Sequence, residues 1–427
     1  MKCKRVFAML LAGAMLTGMI GCGNSQSGES SGDGTPAEDT TSAFNIYAWG
    51  DNHWDIYKEM ESEFNEATDY ELTYEQDNSL TDFLTTRAAS KNLPDMFYVD
   101  PYTGVSDWSQ GGWLADLSEC DWVDALPDSV KEAITYDGKI YAFPYSVCYT
   151  GFFYNKDIFE ELNLTPPQTV DEFETVCKTL LDAGYIPCEV GGGAGSGWVL
   201  YQMFNSLVGA ALKDDLGSFV EKMNAGEASY HDIPNIDSIE RIMQMALIDY
   251  NDPNAMDTDY SSMISKFATG EAAMYHNGSW SVADVKKVTS DMNLGVFGYP
   301  VSDNPEDCVM TYDVEIAVVQ SNTTGCDSGC KAFYDYLADA ETGAAKIAKQ
   351  SRIPVTAVEM SQEDVSYTYD EAMDYINAGK TTGWLNWRVP TGFNDDIAGN
   401  IQEYVMGTIT FDQLLDKCDE KWASNLG

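Results

Sequence analysis

The sequence is poor in basic residues and in histidine. Its 427 residues include 24 Lys and Arg against 69 Asp and Glu, so the formal net charge is −45, and histidine occurs three times. A charge this negative argues against nucleic acid or acidic lipid headgroups as partners. Solubility is the simple explanation of the acidity, and electrostatic attraction of a cationic solute is the alternative.

The signatures of several catalytic centres are missing as well. The sequence contains no His-Glu-x-x-His zinc motif and no Gly-x-Ser-x-Gly nucleophile elbow. The glycine run from Gly191 to Gly197 continues with Trp198 instead of Lys and Ser or Thr, so it fits neither a phosphate-binding loop nor a dinucleotide fingerprint. What is left is a loop whose bare backbone could approach a ligand closely. A secreted glycoside hydrolase stays open as an alternative, because 69 acidic residues make some facing carboxylate pair inevitable.

Cysteine usage indicates no metal framework. Apart from Cys3 and Cys22 near the N-terminus, the other eight of the ten cysteines stand at wide and irregular spacings, without paired Cys-x-x-Cys units. Cys326 and Cys330 are near enough in sequence to pair locally, and buried free thiols are the equal alternative. We predict neither a metal site nor a cofactor.

Residues 1–22 have the order of charge and apolarity of a secretory signal. Three basic residues within the first five positions precede an apolar stretch over residues 6–20, which is short for a membrane span of about 20 residues. The stretch ends in Met-Ile-Gly-Cys22, which resembles a bacterial lipobox with Met19 in place of the usual leucine, and this implies lipidation of Cys22. An ordinary cleaved signal is the alternative. Residues 23–42 are polar and rich in Gly and Ser, which predicts a flexible tether.

The chain from residue 43 onward is long enough for two domains and alternates strand and helix patterns. Strands are predicted at 43–48, 71–76 and 95–99, and helices at 54–67 and 80–90. This alternation predicts an α/β fold with largely parallel sheets flanked by helices. Ligands in such sheets bind at the carboxyl ends of the strands. The candidate ligand-binding residues at these ends are Trp49, Asp51, Asn52, Asp100 and Tyr102. Asp51 would serve equally as a helix N-cap.

Several short motifs follow one another in a fixed order. They are Asp137-Gly-Lys with Phe143-Pro-Tyr, Tyr154-Asn-Lys-Asp, Pro166-Pro-Gln-Thr before a helix, and Phe267 to Trp280 with its Asn-Gly-Ser-Trp end. In this order they resemble the family 1 extracellular solute-binding proteins of ABC transporters, the group that contains maltose-binding protein. Lys331 to Gly343, followed by Ser351 to Val355, resembles that family's late helix and return strand. The resemblance covers residues 43 to 360, and the final stretch matches only in helical character and aromatic content.

The resemblance implies a two-lobed fold of the periplasmic-binding-protein type with three hinge crossings, near residues 145–151, 295–300 and 341–350. The implied N-terminal lobe comprises residues 43–148 and 299–345, and the C-terminal lobe comprises 149–298 and 346–427. It further implies a monomeric receptor at the extracellular face of the cell membrane. This receptor would capture a carbohydrate, in particular an oligosaccharide, and deliver it unchanged to a permease. A polyamine or other cationic solute is the alternative cargo.

A sugar has flat C–H faces and hydroxyl groups at its edges, so its site needs aromatic faces and polar side chains. Trp280 matches the tryptophan of the family's Asn-Gly-x-Trp motif, which favours stacking on a ligand over packing in the core. Trp198 follows the glycine run, where similar proteins place ligand-facing aromatics, and core packing is the equal alternative.

Further candidates lie beside the implied crossings and near the C-terminus. Tyr145 and Asp313 are candidates by position, as is Arg352, for which an ion pair with an acidic neighbour is the alternative. Trp384 and Trp387 are three residues apart and would share one face if that segment were helical. A core stripe explains this spacing nearly as well as a sugar platform does.

Overall fold

The computed structural model of the chain describes residues 39–50, 53–77, 79–193, 195–350, 352–355 and 368–426. Cys22 and the predicted signal lie outside these residues, as do the candidates Asp51 and Asn52. Across the described ranges, no helix combines the length and the apolarity needed to cross a bilayer.

Strands and helices alternate through most of the described chain. The strands are β1 (Ala43–Trp49), β2 (Glu71–Asp77), β3 (Met96–Val99), β4 (Thr135–Tyr136), β5 (Lys139–Ile140), β6 (Ala142–Asn155), β7 (Ile186–Glu189), β8 (Ala272–Gly278), β9 (Leu294–Phe297), β10 (Tyr299–Pro300), β11 (Cys308–Gln320) and β12 (Thr381–Thr382). The α-helices are α1 (Trp54–Ala67), α2 (Leu80–Ala89), α3 (Thr103–Gln110), α4 (Asp128–Ala133), α5 (Lys156–Glu161), α6 (Val170–Asp182), α7 (Gly197–Leu212), α8 (Leu216–Ala225), α9 (Ile236–Gln244), α10 (Tyr260–Ala268), α11 (Ser281–Val288), α12 (Asp327–Ala338), α13 (Gly343–Lys349), α14 (Tyr369–Asn377), α15 (Phe393–Val405) and α16 (Phe411–Asn425). Short 3₁₀ turns include Asp121–Ala125, Lys213–Asp215, Tyr230–Asp232, Ala255–Asp257, Pro305–Asp307 and Leu385–Trp387, and Met245–Asp249 is a π-helical turn.

The main sheet is mixed, with strand order β2-β1-β3-β11-β6-β8-β7. At its two ends the pairs β1–β2, β1–β3 and β7–β8 are parallel, as the strand–helix alternation predicts. In the centre, β3–β11, β11–β6 and β6–β8 are antiparallel, which differs from the prediction of largely parallel sheets. The reason is that β6 and β11, with 14 and 13 residues, run in opposite directions through both halves of the molecule.

Two hydrophobic cores define two lobes. The core of the first lobe packs around β1 to β3 and includes Phe97 and Phe333, whereas the core of the second lobe includes Phe204 and Tyr275. Side chains change from one core to the other along a single strand. Tyr145 of β6 belongs to the first core, and Val147, two residues later, belongs to the second.

The chain passes from one lobe to the other at two further points, one in β11 and one after α13, and these points and the one in β6 are termed passages. Val314 packs in the second core and Ile316 in the first, with a register shift between them. Ile347 packs in the first core and Ile353 in the second. The passage in β11 lies later than the predicted crossing at residues 295–300.

Residues 299–314 therefore belong to the second lobe, which corrects the predicted boundary. β9 pairs with the second-lobe end of β6, and β10 pairs with the first residues of β11. Tyr299, Val301 and Val309 consequently pack in the second core. The chain thus folds back once more within the second lobe before it enters the first.

The eight described cysteines are free thiols, so Cys326 and Cys330 do not form the local disulfide considered above. Both are buried in the first lobe, where thiols pack as small apolar side chains.

Candidate functional site in the cleft between the lobes

Two adjoining cavities lie between the lobes and share Trp49 and Trp387 in their walls. The smaller, of about 380 Å³, is termed the aromatic compartment, and its main lining residues are Trp49, Trp198, Tyr260, Trp280, Trp384 and Trp387. The larger, of about 620 Å³, is termed the acidic compartment, and its polar lining includes Asp100, Asp107, Asn386, Asn394 and Asp395. Both volumes are typical of small-molecule sites.

Trp280 reaches the aromatic compartment from the junction between β8 and α11. It is half-buried and precedes the first residue of α11. A Cβ atom at Gly278 would lie 2.0 Å from the Trp280 ring, so only glycine lets the indole lie against the end of β8. The Ser281 hydroxyl donates to the Gly278 carbonyl at 2.7 Å and fixes the turn. The indole therefore has a defined position at the cavity wall.

Trp280, Trp384 and Trp387 form a continuous aromatic group. The rings of Trp280 and Trp384 are stacked, with centroids 5.9 Å apart and an interplanar angle of 27°. Trp387 meets Trp384 edge to face at 5.0 Å. Trp384 is fully buried behind its two half-buried neighbours. The three-residue spacing of Trp384 and Trp387 suggests either a sugar platform or a core stripe. Trp384 fits both, because it lines the cavity and is also part of the packed interior.

Trp198 lies in the first turn of α7 and also lines the aromatic compartment. Its ring lies 5.3 Å from that of Tyr260, and the Tyr260 hydroxyl donates to Asp284 at 2.9 Å. Gln202 follows four residues after Trp198 and therefore lies on the same face of α7. Both residues line the aromatic compartment.

Some residues that line the aromatic compartment have polar atoms without a hydrogen-bond partner. Among the described residues, Gln202 Oε1, Trp384 Nε1 and Trp387 Nε1 have no hydrogen-bond partner. Buried polar groups in proteins are nearly always hydrogen-bonded. The Gln202 and Trp387 atoms are therefore suited to the hydroxyl groups of a bound solute, whereas Trp384 is fully buried behind its neighbours.

The first three glycines of the run before α7, residues 191–193, are buried and pack against protein. Gly192 and Gly193 donate backbone hydrogen bonds to Ala255 and Thr258, at 2.9 and 3.0 Å. A Cβ atom at Gly193 would lie 2.5 Å from the backbone of Asp257. In this part of the run the bare backbone closely approaches the Ala255–Asp257 turn.

The first lobe contributes Trp49, from the end of β1, and the ion pair of Arg352. Trp49 is half-buried and packs edge to face on Tyr98 at 5.9 Å. Arg352 Nε donates to Glu315 Oε1 at 3.3 Å, which is the acidic pairing given above as the alternative for this arginine. Arg352 nevertheless lines the aromatic compartment. Gly50 and His53, which flank the undescribed Asp51 and Asn52 in sequence, line it too.

Asp100 lies in the acidic compartment at the end of β3, one residue after the strand. Burial and, to a lesser extent, the negative charge of Asp395 raise the pKa of Asp100 to about 6. Asp100 belongs to the first lobe and Asp395 to α15 of the second. The cleft therefore brings two carboxyl groups from opposite lobes near each other.

Tyr102 and Asp313 meet outside both compartments, in a cluster with Arg388. The Tyr102 hydroxyl donates to Asp313 Oδ1 at 2.9 Å, and Arg388 Nη1 donates to Asp313 Oδ2 at 2.5 Å. The backbone N–H of Trp384 donates to the same Oδ2 at 2.8 Å. Tyr102 adopts a φ of +54°, which is strained for a bulky residue. Asp313 thus fixes the turn that carries the tryptophans and joins it to the first lobe.

Tyr145 lies in the core of the first lobe, which corrects its assignment as a cleft residue. It is fully buried, packs against Tyr98 at 5.2 Å and accepts a hydrogen bond from Gln350 at 2.9 Å. It does not line either compartment.

Sequence reasoning missed several residues of the cleft. Gln202 could have been found from its spacing of four residues after Trp198, and Arg388 from its place beside Trp387 in a chain with few arginines. Tyr260, Asp284 and Asp395 give no such signal, because helices that are distant in sequence bring them to the cavity.

A family model described as bacterial extracellular solute-binding protein matches residues 59–374. The chain is 23% identical over 220 residues to the multiple sugar-binding protein of Streptococcus mutans, covering 51% of this chain and 52% of that protein. It is 22% identical over 385 residues to the maltodextrin-binding protein MdxE of Bacillus subtilis, covering 85% of this chain and 87% of that protein. Over the first of these relatives, the chain spans about half of the relative's length.

Among solved structures, the fold is similar to that of SBP RafE in complex with raffinose. The TM-score is 0.77 at 20% sequence identity, over 90% of this chain and 100% of that chain. The two chains therefore share a two-lobed fold.

Proposed function

The chain belongs to the bacterial extracellular solute-binding protein family, and on that premise we propose that it captures an oligosaccharide in its cleft and delivers it to the permease of an ABC importer. The observation that carries this proposal is the aromatic compartment, where indoles from both lobes converge. Trp49 comes from the first lobe, and Trp198, Trp280 and Trp387 come from the second. Flat rings on opposing lobes are suited to the two faces of a pyranose.

The polar atoms around the indoles support a sugar as the cargo. Gln202 offers an acceptor and Trp387 an N–H donor, and neither atom has a partner among the described residues. Hydroxyl groups both donate and accept, so they match a wall of mixed donors and acceptors.

The printed names of similar proteins support the same cargo class. The relatives named above bind multiple sugars and maltodextrin, and the structure with the similar fold holds raffinose. We extend this class to the present chain, with an oligosaccharide favoured because the two adjoining compartments offer room for more than one ring.

Capture requires the lobes to open and close around the three passages. A solute that contacts both walls binds the closed arrangement more tightly than the open one and so shifts the population toward it. We propose that the permease recognises the closed, solute-bound arrangement.

We further propose that the protein performs no chemistry on its cargo. In the aromatic compartment, Glu315 accepts hydrogen bonds from Ser146 and Arg352, and Asp284 accepts one from Tyr260. In the aromatic compartment, these two carboxylates are therefore engaged by donors of the protein itself. Release of reducing sugar from an oligosaccharide would contradict this part of the proposal.

We propose that the protein is located at the extracellular face of the cell membrane, anchored by a lipid on Cys22. We also propose that it is a monomer. The test is a Cys22→Ser variant, which is expected to move from the membrane fraction to the soluble fraction of the expressing cells. A wild-type protein that is already in the soluble fraction would refute the anchor while leaving the binding function untouched.

Thermal unfolding with a panel of solutes tests the cargo. The panel comprises raffinose, stachyose, maltotriose and diacetylchitobiose, with spermidine and putrescine for the cationic alternative. A ligand at about 100 times its dissociation constant stabilises the folded state by about 2.7 kcal/mol, which raises the melting temperature by several degrees. Stabilisation by an oligosaccharide supports the proposal, and stabilisation by the amines alone would favour the alternative.

A further inference from the structure

The acidic compartment has an unusual balance of charge. Among the described residues that line it, three are aspartates (Asp100, Asp107 and Asp395) and none is Lys, Arg or His. In the adjoining aromatic compartment, by contrast, Glu315 is paired with Arg352. The two halves of the cleft are therefore electrostatically different.

Two of the three carboxylates are unbonded. Asp107 Oδ2 accepts a hydrogen bond from the Thr391 hydroxyl at 2.5 Å. Within the described ranges, the side chains of Asp100 and Asp395 form neither a hydrogen bond nor an ion pair. They extend from opposite lobes, so the closed cleft places two free carboxylates at one cavity.

This arrangement is unfavourable without a cation. Burial, followed by the charge of Asp395, raises the pKa of Asp100 to about 6. Closing the lobes brings the exposed carboxylate of Asp395 to the same cavity as the partly buried Asp100, and the negative charge of Asp395 opposes ionisation of Asp100. A positive charge between them would offset this repulsion.

A second observation at the same wall indicates a ligand with oxygen atoms. Asn386 lines the acidic compartment and is 1% exposed, and its Nδ2 has no hydrogen-bond partner among the described residues. An unpaired buried amide N–H is rare in proteins. Aromatic rings are also present, since Trp108, Trp113 and Tyr201 line the cavity. Amide donors and aromatic rings are the features that recognise a sugar ring.

We propose that the acidic compartment binds a sugar unit that carries a protonated amino group, held between Asp100 and Asp395. The cargo would then be an oligosaccharide containing an amino sugar, with a neutral unit in the aromatic compartment. This inference rests on the proposed function, because it requires that the cleft binds carbohydrate.

Isothermal titration calorimetry of the full-length protein at pH 7 and low salt tests the proposal. The probes are glucose and glucosamine, and the β-1,4-linked trisaccharides of each. Members of a pair differ only in a hydroxyl or an ammonium group at C2 of each sugar unit. The amine of each pair is expected to bind at least tenfold more tightly, which corresponds to about 1.4 kcal/mol.

Two double variants locate the source of this preference. Asp100→Asn with Asp395→Asn is expected to abolish the tenfold advantage. Asp374→Asn with Glu420→Gln removes the same charge from exposed positions outside the cleft and is expected to keep it. This control separates local recognition from the general attraction of a cation to an acidic protein.

The other possible outcomes contradict either this inference or the proposed function. Equal affinities within each pair, neutral sugars binding where amines do not, or an advantage that survives in the Asp100/Asp395 variant would overturn the inference and leave the proposed function standing. If no carbohydrate binds, whether charged or neutral, the proposed function fails as well.

Discussion

The guanidinium of Arg388 lies 3.7 Å from the ring centroid of Tyr102 and also donates to the Tyr102 hydroxyl. Arg388 follows the turn that carries Trp384 and Trp387, whereas Tyr102 stands at the start of α3 in the first lobe. Cation–π contacts of this kind contribute about 0.5–2 kcal/mol. The contact therefore joins the aromatic wall of one lobe to the other lobe.

Arg388→Ala is expected to destabilise the protein strongly. Asp313 is 8% exposed and would keep a buried charge without its partner, which costs about 3–5 kcal/mol. Urea unfolding measures the loss. The double variant Arg388→Met with Asp313→Asn should recover a large part of the stability, and an undiminished loss in the double variant would show that the ion pair is not the cause.

Trp280→Ala is expected to weaken binding of the oligosaccharide found by the panel at least tenfold, in the range of about 2 kcal/mol typical of a central aromatic contact. Trp280→Phe should have a smaller effect because it keeps a flat ring. Tyr185→Ala removes a half-buried aromatic of the same lobe outside the cleft and serves as the control. Equal affinities of the Trp280 and Tyr185 variants in calorimetry would speak against a role of Trp280.

Gly278→Ala is expected to displace the indole of Trp280, because the added Cβ would lie 2.0 Å from the ring. Both the ligand affinity and the melting temperature should fall. Gly399→Ala is the matched control, since a Cβ there meets no atom within 4 Å and the residue lies inside α15. That control should stabilise the protein by about 0.5–1 kcal/mol. Similar behaviour of both variants would contradict the steric argument.

Asp100→Asn is expected to raise the melting temperature at pH 7.5 and to change it little at pH 4. The pKa of Asp100 is raised to about 6, mainly by burial, whereas an unfolded aspartate titrates near 3.9. The folded state therefore holds the proton more tightly, and stability is lost as the pH rises from about 4 through 6. The exposed Asp374→Asn should show no such difference between the two pH values. A shift that is equal at both pH values would argue against a buried carboxylate.

Much of the fold follows from local patterns. Helix α1 has the predicted bounds, and the strands at the two ends of the sheet pair in parallel as their alternation with helices indicates. The antiparallel centre was not predicted. Strand β6 is buried along nearly its whole length, so its sequence carries no alternation that could show where one lobe ends and the other begins.

The lack of an alternating pattern in buried strands also explains which residues of the candidate site were predicted correctly and which were not. Trp280 was found because a motif ends in it, whereas Tyr145 was misplaced because a strand buried on both faces does not reveal which face borders the cleft. Arg388 and Asp313 lie 75 residues apart in sequence, so their pairing depends on the tertiary fold alone.

Strands β6 and β11 are hydrogen-bonded to each other along the stretch where both pass between the lobes. A rotation of the lobes must alter the twist of these hydrogen-bonded strands, and Val147 of β6 is also bridged to Ile353. The register shift between Val314 and Ile316 supplies a weak point for that distortion. The two lobes are thus joined by hydrogen-bonded backbone as well as by the continuity of the chain, and their relative orientation depends on the twist of these strands.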